Sequence, residues 1–159
     1  MEEDQKCTVA VRIRGITGIR GDVQDTLKML DLFYNCNATL IDNRPSYLGM
    51  LRKAQHQITW GEASKDVIAL LLKERGRLIG DEKVTDEYAQ RIGYGSVDKL
   101  AEAIHNLKVE FRSLPDIKPL FRLHPPRKGF KGTIKKSCVS GGETGYRGED
   151  INNLIKRMI

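Results

Sequence analysis

In the first sixty residues, segments with the apolar period of a β-strand alternate with segments that have the apolar period of a helix. This pattern constrains the fold more than any other feature of the chain. From Cys7 to Ile13 every second residue shares an apolar face, and an apolar period of two predicts a β-strand. Two further short segments, 38–42 and 58–60, are apolar and are bounded by turn-forming residues, so they also predict strands.

A helix is predicted between the first two strands. Asp22 is placed to cap it, because a carboxylate can accept hydrogen bonds from the first free N–H groups. Val23, Leu27, Leu30 and Tyr34 recur at spacings of four, three and four, which predicts one apolar stripe along this helix.

A second helix is predicted to begin at a Ser46 cap, after Pro45 ends the second strand. Residues 7–62 therefore have the order β-α-β-α-β. Two helices that cross on the same side of a small sheet predict a two-layer α+β core of the split βαβ type.

The middle of the chain, 63–117, predicts a helical extension. Ser64 opens a helix that Gly76 is placed to end, and 85–91 and 96–107 predict two more. The last part, 118–159, ends in a helix whose apolar residues follow an i, i+3, i+4, i+7 pattern. This pattern predicts that the terminal helix docks on the body of the protein. Its stripe consists of Ile151, Leu154, Ile155 and Met158.

Positive charge is concentrated between Lys118 and Arg147. This run has eight basic residues and one acid, for a net charge of +7, whereas the whole chain is +6. With a docked helix behind it, the run is predicted to be a loop tethered at both ends, which lowers the ordering cost of binding. A localised positive segment of this kind favours a polyphosphate partner, although a solvated face or a disordered arm remains an alternative.

Local features of the run favour phosphate and base contacts. Pro125 and Pro126 stiffen the chain, arginines can bind phosphate through two hydrogen bonds, and Phe121, Phe130 and Tyr146 are candidates for stacking on unpaired bases. Phe121 could equally be a core anchor.

Two further regions carry weaker signals. Gly15, Gly18 and Gly21 lack the spacing of a dinucleotide fingerprint and favour a flexible turn, but their N–H groups with Arg14 and Arg20 could hold phosphates. Around the second helix a solvated face is the favoured interpretation and a nucleic-acid contact the alternative. The residues there are Arg44, Tyr47, Arg52 and Lys53.

No catalytic or metal-binding set can be nominated. The three histidines have no partner at metal-ligand spacing, and the three cysteines are far apart, which is typical of free thiols in a reducing interior. No apolar run approaches the roughly 20 residues of a membrane span, and the start has no secretory pattern. We expect a protein without enzymatic activity or cofactor.

Five motifs in order resemble the archaeal form of the large-subunit ribosomal protein L-thirty family, whose eukaryotic counterpart is called L-seven. The motifs are DVQDTLKMLDL (22–32), YLGML (47–51), ITWGE (58–62), LFRLHPPRKGFKG (120–132) and GGETGYRGEDINNLIKRM (141–158). The acidic start, Glu2 to Asp4, lies outside the match and is expected to be disordered or variable.

This resemblance implies a ferredoxin-like core with a small antiparallel sheet and no catalysis. It also implies a cytoplasmic, ribosomal location, binding to large-subunit ribosomal RNA near the 5S RNA, neighbouring ribosomal proteins, and a monomeric state within the ribosome. The candidate RNA-binding residues are Arg14, Arg20, Arg44, Tyr47, Arg52, Lys53, Arg122, His124, Arg127, Lys128, Lys131, Lys135, Lys136, Tyr146 and Arg147.

Two other functions stay open at this level. The three-strand start and the glycine loop are compatible with a regulatory module that binds a small metabolite, although the basic run is then unexplained. An enzyme acting on phosphorylated substrates lacks a base or metal set.

Overall fold

The β-α-β-α-β core is present in the computed structural model, which describes residues 5–159. β1 (Cys7–Arg12) pairs antiparallel with β2 (Asn37–Asp42) on one side and with β3 (Ile58–Glu62) on the other. The predicted fold class is therefore confirmed, whereas the expectation for the acidic start lies outside the described residues. The core elements are β1 (Cys7–Arg12), α1 (Gly21–Met29), β2 (Asn37–Asp42), α2 (Pro45–Lys53) and β3 (Ile58–Glu62).

The rest of the described chain adds four helices and three strands. They are α3 (Lys65–Arg75), α4 (Asp86–Arg91), α5 (Val97–His105), β4 (Phe121–Arg122), β5 (Thr133–Ser137), β6 (Gly142–Tyr146) and α6 (Ile151–Met158). The sheet thereby extends to six strands in the order β4-β2-β1-β3-β6-β5. Short 3-10 turns at Phe111–Ser113, Cys138–Ser140 and Gly148–Asp150 connect some of these elements.

Helices cover both faces of the sheet. Ala10 of β1 packs in one apolar cluster with residues of α1 and α2. Val9 and Val11 point to the other face, into a cluster with α3, α5 and α6. The two-layer arrangement thus holds for residues 7–62, and the helical extension with α6 adds a third layer. Both faces of β1 are consequently buried.

Two predicted helix caps are wrong. α1 begins at Gly21 with Arg20 at its N-cap position, so Asp22 lies inside the first turn. α2 begins with Pro45, which is well suited to the first helical position because its missing N–H has no partner there, so Ser46 lies inside the helix. Tyr34 also leaves the predicted stripe and is 67% exposed, because α1 already ends at Met29.

Other helix ends follow the sequence. Ser64 caps α3 by accepting a hydrogen bond from the Val67 N–H at 3.3 Å, and Gly76 ends this helix. The stripe of α6 is fully buried, and both Ile151 and Leu154 pack in the larger cluster. The docking of the terminal helix is confirmed.

The basic run is not the loop that its composition predicts, since it contains β4, β5 and β6. β6 is parallel to β3, and β5 is parallel to β6, so the sheet is mixed outside its antiparallel core. Gly132 and Gly142 permit this arrangement, because the backbones pack too closely there for a side chain. A Cβ atom on Gly142 would lie 1.9 Å from the carbonyl oxygen of Lys136, and one on Gly132 would lie 2.5 Å from that of Gly141.

Candidate nucleic-acid interface

Three connections emerge at the same end of the sheet. Arg12, the last residue of β1, lies opposite Ile58, the first residue of β3. β4 ends at Arg122 opposite Asn37, the first residue of β2. The loop after β1, the turn before β3 and the segment after β4 therefore leave the sheet close together.

β5 extends this end further. Gly145 pairs with Thr59, and Ser137 pairs with Thr144, so residues 133–136 lie beyond the first residue of β3. We call this region the basic end. Its cations are Arg14, Arg20, Arg52, Lys53, Arg122, Arg127, Lys128, Lys131, Lys135 and Lys136.

Backbone hydrogen bonds join the connections of the basic end. The Cys36 N–H donates to the Arg12 carbonyl at 2.8 Å, and the Leu123 N–H donates to the Cys36 carbonyl at 3.0 Å. The start of the 123–132 segment is thus two strand spacings, roughly 10 Å, from the end of β1. Ten of the fifteen candidate residues are brought together in this way, although they come from four separate stretches of the sequence.

The segment 123–132 is seated on the C-terminal end of α6. The His124 N–H donates to the Met158 carbonyl at 3.1 Å, and the Arg127 N–H donates to the Arg157 carbonyl at 3.0 Å. These bonds satisfy carbonyl groups that a helix end leaves free. The His124 ring lies within hydrogen-bond distance of the carbonyls of Pro125 and Ile159, so this candidate residue has an internal role.

A tight turn displays the cations of this segment. The Gly129 N–H donates to the Pro126 carbonyl at 3.0 Å. Lys128 within the turn has φ +65°, a left-handed conformation that disfavours side chains with a Cβ by about 1–2 kcal/mol. Strain of this kind persists only where the surrounding structure imposes it, and here the bonds to α6 do so.

All five cations of the 127–136 stretch lack a carboxylate partner among the described residues. Lys118 at the start of the basic run pairs with Asp81. Within the part of the chain that the structure describes, no ion pair involves a cation of 127–136. An exposed cation without an internal carboxylate keeps its charge available to a phosphate. The residues are Arg127, Lys128, Lys131, Lys135 and Lys136.

Arg44 is instead bound within the protein at the start of α2. Its guanidinium pairs with the carboxylates of Asp42 and Glu110 and lies 5.0 Å from the centre of the Tyr47 ring. Partial burial acts to raise the pKa of Asp42, but hydrogen bonds from Arg44 outweigh it, so this pKa is lowered. The contacts link α2 to the helical extension, away from the basic end.

Tyr146 and Arg147 also make internal contacts. The Arg147 side chain is 11% exposed and pairs with Glu143 at 2.7 Å, and its Nε donates to the Thr59 hydroxyl at 2.8 Å. The Tyr146 hydroxyl donates to the Glu62 carboxylate, and this hydrogen bond together with burial raises the pKa of Tyr146 to about 12. These contacts fasten β6 to β3.

The aromatic residues of the basic run are mostly unavailable for stacking on bases. Phe121 is fully buried and stacks on Phe111 with ring centres 4.8 Å apart, so it is a core anchor. Phe130 packs half-buried against the larger cluster. The exposed aromatic side chains of the basic end are instead Phe33 and Tyr34, at 42% and 67% exposure.

Arg12 was also missed as a functional residue by the sequence analysis. It is 1% exposed and its guanidinium donates to the carbonyls of Leu32 and Phe33 at 2.9 and 3.0 Å and of Gly15 at 3.2 Å. Burial lowers the pKa of Arg12. An arginine in an otherwise apolar alternation was the available signal.

Other chemistry has little support in residues 5–159. No group of three or more His, Cys, Asp and Glu side chains there could hold a metal ion, and none of the described helices is long and apolar enough to cross a membrane. Cys7 and Cys36 are buried in the larger cluster as free thiols, and burial, with a contribution from Asp42, raises the pKa of Cys7 to about 12.

An α+β core with localised free cations defines a class of protein suited to a polyanionic partner. Sequence comparisons agree with this class. A profile of the family described as Ribosomal protein L30p/L7e matches residues 9–58.

Similar proteins are found along nearly the whole chain. The large ribosomal subunit protein uL30 of Methanosphaera stadtmanae is 51% identical, over 94% of this chain and 97% of its own. That of Methanopyrus kandleri is 49% identical, over 92% and 100%, and that of Ignicoccus hospitalis is 49% identical, over 98% and 99%.

The chain belongs to the uL30 family of large ribosomal subunit proteins. Membership confirms the resemblance carried by the five motifs. It also confirms the expectations of a structural ribosomal protein rather than an enzyme and of a place with the ribosome in the cytoplasm.

Proposed function

We propose that the chain binds large-subunit ribosomal RNA through the basic end, as a monomer near the 5S RNA and among neighbouring ribosomal proteins. One observation carries the proposal. The turn at Lys128 is held on the end of α6, and the exposed cations from Arg127 to Lys136 have no carboxylate partner among the described residues.

A turn that is already ordered favours binding, because less conformational freedom is lost when the RNA arrives. Arg127 can form two parallel hydrogen bonds to one phosphate, while the lysines act as point charges. Of the remaining candidate residues, Arg44, Tyr47, His124, Tyr146 and Arg147 make internal contacts, and we assign them to the fold rather than to the interface.

The test is binding of the purified protein to deproteinised large-subunit RNA over a salt series. Neutralising several phosphates releases counterions, so log K should fall steeply and linearly with log salt. A flat slope would contradict the proposal. Protein–RNA crosslinking in reconstituted large subunits would test the 5S neighbourhood, since crosslinks to the 5S RNA are expected.

Metabolite binding, the alternative that the sequence left open, has no observation in its favour. The pocket beside Tyr47 and Phe111 holds only about 20 Å³, which is the room for about one water molecule. A larger cleft of about 690 Å³ beside Glu62 and His105 is open to solvent and is not enclosed around a ligand. A shift in melting temperature with a small metabolite, in the absence of RNA, would revive this alternative.

A further inference from the structure

Two loops of the basic end expose large apolar side chains. Ile16, in the loop 13–20, is 53% exposed, and Phe33 and Tyr34, in the loop 32–36, are 42% and 67% exposed. Single exposed apolar residues are common on protein surfaces. Three of them on two loops that share one anchoring side chain form a surface that needs an explanation.

Arg12 is that anchor. One buried guanidinium binds carbonyls of both loops, at Gly15 in the first and at Leu32 and Phe33 in the second. The second loop is also fixed by the Asn37 N–H, which donates to the Tyr34 carbonyl at 3.3 Å. Both loops are thereby ordered before any partner binds, and rings on an ordered backbone lose little entropy when they are contacted.

The charge of the two loops indicates that RNA, rather than protein, binds to their exposed apolar side chains. Neither the loop 13–20 nor the loop 32–36 contains an acidic residue, and the first carries Arg14 and Arg20. Beneath the loops, the side-chain hydrogen bonds of Arg12 to the described part of the chain all go to carbonyl groups. Arg20 pairs with Asp22 at the start of α1, but no ion pair among the described residues involves Arg14. A dry protein–protein contact would leave the charge of Arg14 without an anionic partner, which is unfavourable, whereas a phosphate that flanks an unpaired base would neutralise it.

We infer that Phe33 and Tyr34 form a stacking platform for unpaired bases of the ribosomal RNA, and that Arg12 is the positioning residue that holds this platform. The inference rests on the RNA-binding function proposed above. It assigns base contacts to the loop 32–36 and phosphate contacts to the cations of the basic end.

The test compares two double variants with the wild type on deproteinised large-subunit RNA. Phe33→Leu with Tyr34→Leu removes both rings but keeps apolar bulk. Phe33→Tyr with Tyr34→Phe exchanges the rings and keeps two stacking faces. Stacking on an aromatic ring contributes about 1–3 kcal/mol per base, so the leucine variant should bind at least about tenfold more weakly and the exchanged variant as tightly as wild type.

The salt slope separates this inference from the function on which it rests. The leucine variant should keep the wild-type slope, because no phosphate contact is removed. If the wild type binds with a steep slope and the leucine variant binds equally well, the platform is wrong and RNA binding stands. If the leucine variant binds RNA normally but fails to enter large subunits, the occupant is a protein and the inference is overturned. A wild type with no salt-dependent binding would refute the proposed function itself.

Discussion

Gly61 of β3 packs directly against the backbone of Gly148, so that a Cβ atom at Gly61 would lie 1.9 Å from the Gly148 carbonyl oxygen. This contact seats the start of α6 on the sheet. The Asn152 side chain reinforces it by accepting from the Ser64 N–H at 2.9 Å and donating to the Glu62 carbonyl at 3.1 Å. The far end of α6 in turn supports the turn that displays Lys128.

Gly61→Ala should therefore destabilise the protein. The methyl group cannot fit without moving β3 away from Gly148, and overpacking of this kind reduces the free energy of unfolding by about 1–3 kcal/mol. Gly49→Ala is the matched control, since nothing lies within 4 Å of a Cβ there and alanine favours the helix by about 0.5–1 kcal/mol. Urea unfolding followed by circular dichroism would measure both, and equal midpoints for the two variants would contradict the account.

Lys128 should be unfavourable for stability and favourable for RNA binding. Lys128→Gly and Lys128→Ala both remove the charge, but only glycine also removes the strain of φ +65°. The glycine variant should be more stable than the alanine variant by about 1 kcal/mol, and both should lower the salt slope of RNA binding by about one. Thermal unfolding and filter binding would check the two effects. An alanine variant as stable as the glycine variant would show that the turn is unstrained.

Arg12→Lys should loosen both loops of the stacking platform. Lysine keeps the positive charge but has one nitrogen in place of the guanidinium fork, so several of the four hydrogen bonds from Arg12 to carbonyl groups are lost. Amide hydrogen exchange should become faster in 13–20 and 32–36, while exchange in α3 stays unchanged. Unchanged protection of both loops would remove Arg12 from its positioning role.

The Tyr146–Glu62 hydrogen bond predicts an alkaline pH dependence. The pKa of Tyr146 is raised from its ordinary value of 10.0 to about 12 in the folded protein. Between these two values the folded state retains a proton that the unfolded state has lost, so this contribution to stability is complete below pH 10 and disappears as the pH rises through about 12. Urea midpoints of wild type and Tyr146→Phe, measured from pH 9 to pH 12, should converge over this window, and parallel curves would contradict the assignment.

The elements that could be predicted from sequence are those with a strong local period. The stripe of α6 and the alternation of β1 each mark a buried face. β5 and β6 could not be found this way, because β5 is almost wholly exposed and β6 pairs in parallel with a strand more than eighty residues away. The predicted stripe of α1 includes Tyr34, but the helix ends at Met29, and Asp31 just beyond it adopts φ +61°.

The sequence predicts where the positive charge of the candidate site is concentrated, but it does not predict how the site is arranged in space. The sequence locates the excess of cations, yet it does not show which of them have internal partners. Arg44 pairs with Glu110, and Arg147 reaches Thr59, across long separations in the chain. Arg12 and Phe33 were missed because their roles depend on two loops meeting at the end of the sheet.

The most direct measurement is the salt dependence of RNA binding for two variants that remove the same charge. The first changes Arg127, Lys128, Lys135 and Lys136 to alanine, and the control changes Lys65, Lys73, Lys83 and Lys108. All eight side chains belong to exposed residues, but the control residues lie in the helical extension, where Lys65 and Lys73 pair with Glu102 and Asp98.

The first variant should lower the slope of log K against log salt by about three, because up to four phosphate contacts are lost, and it should unfold like wild type. The control should keep the wild-type slope. Equal slopes for the two variants would contradict the central claim, since the RNA would then respond to net charge alone and not to the basic end.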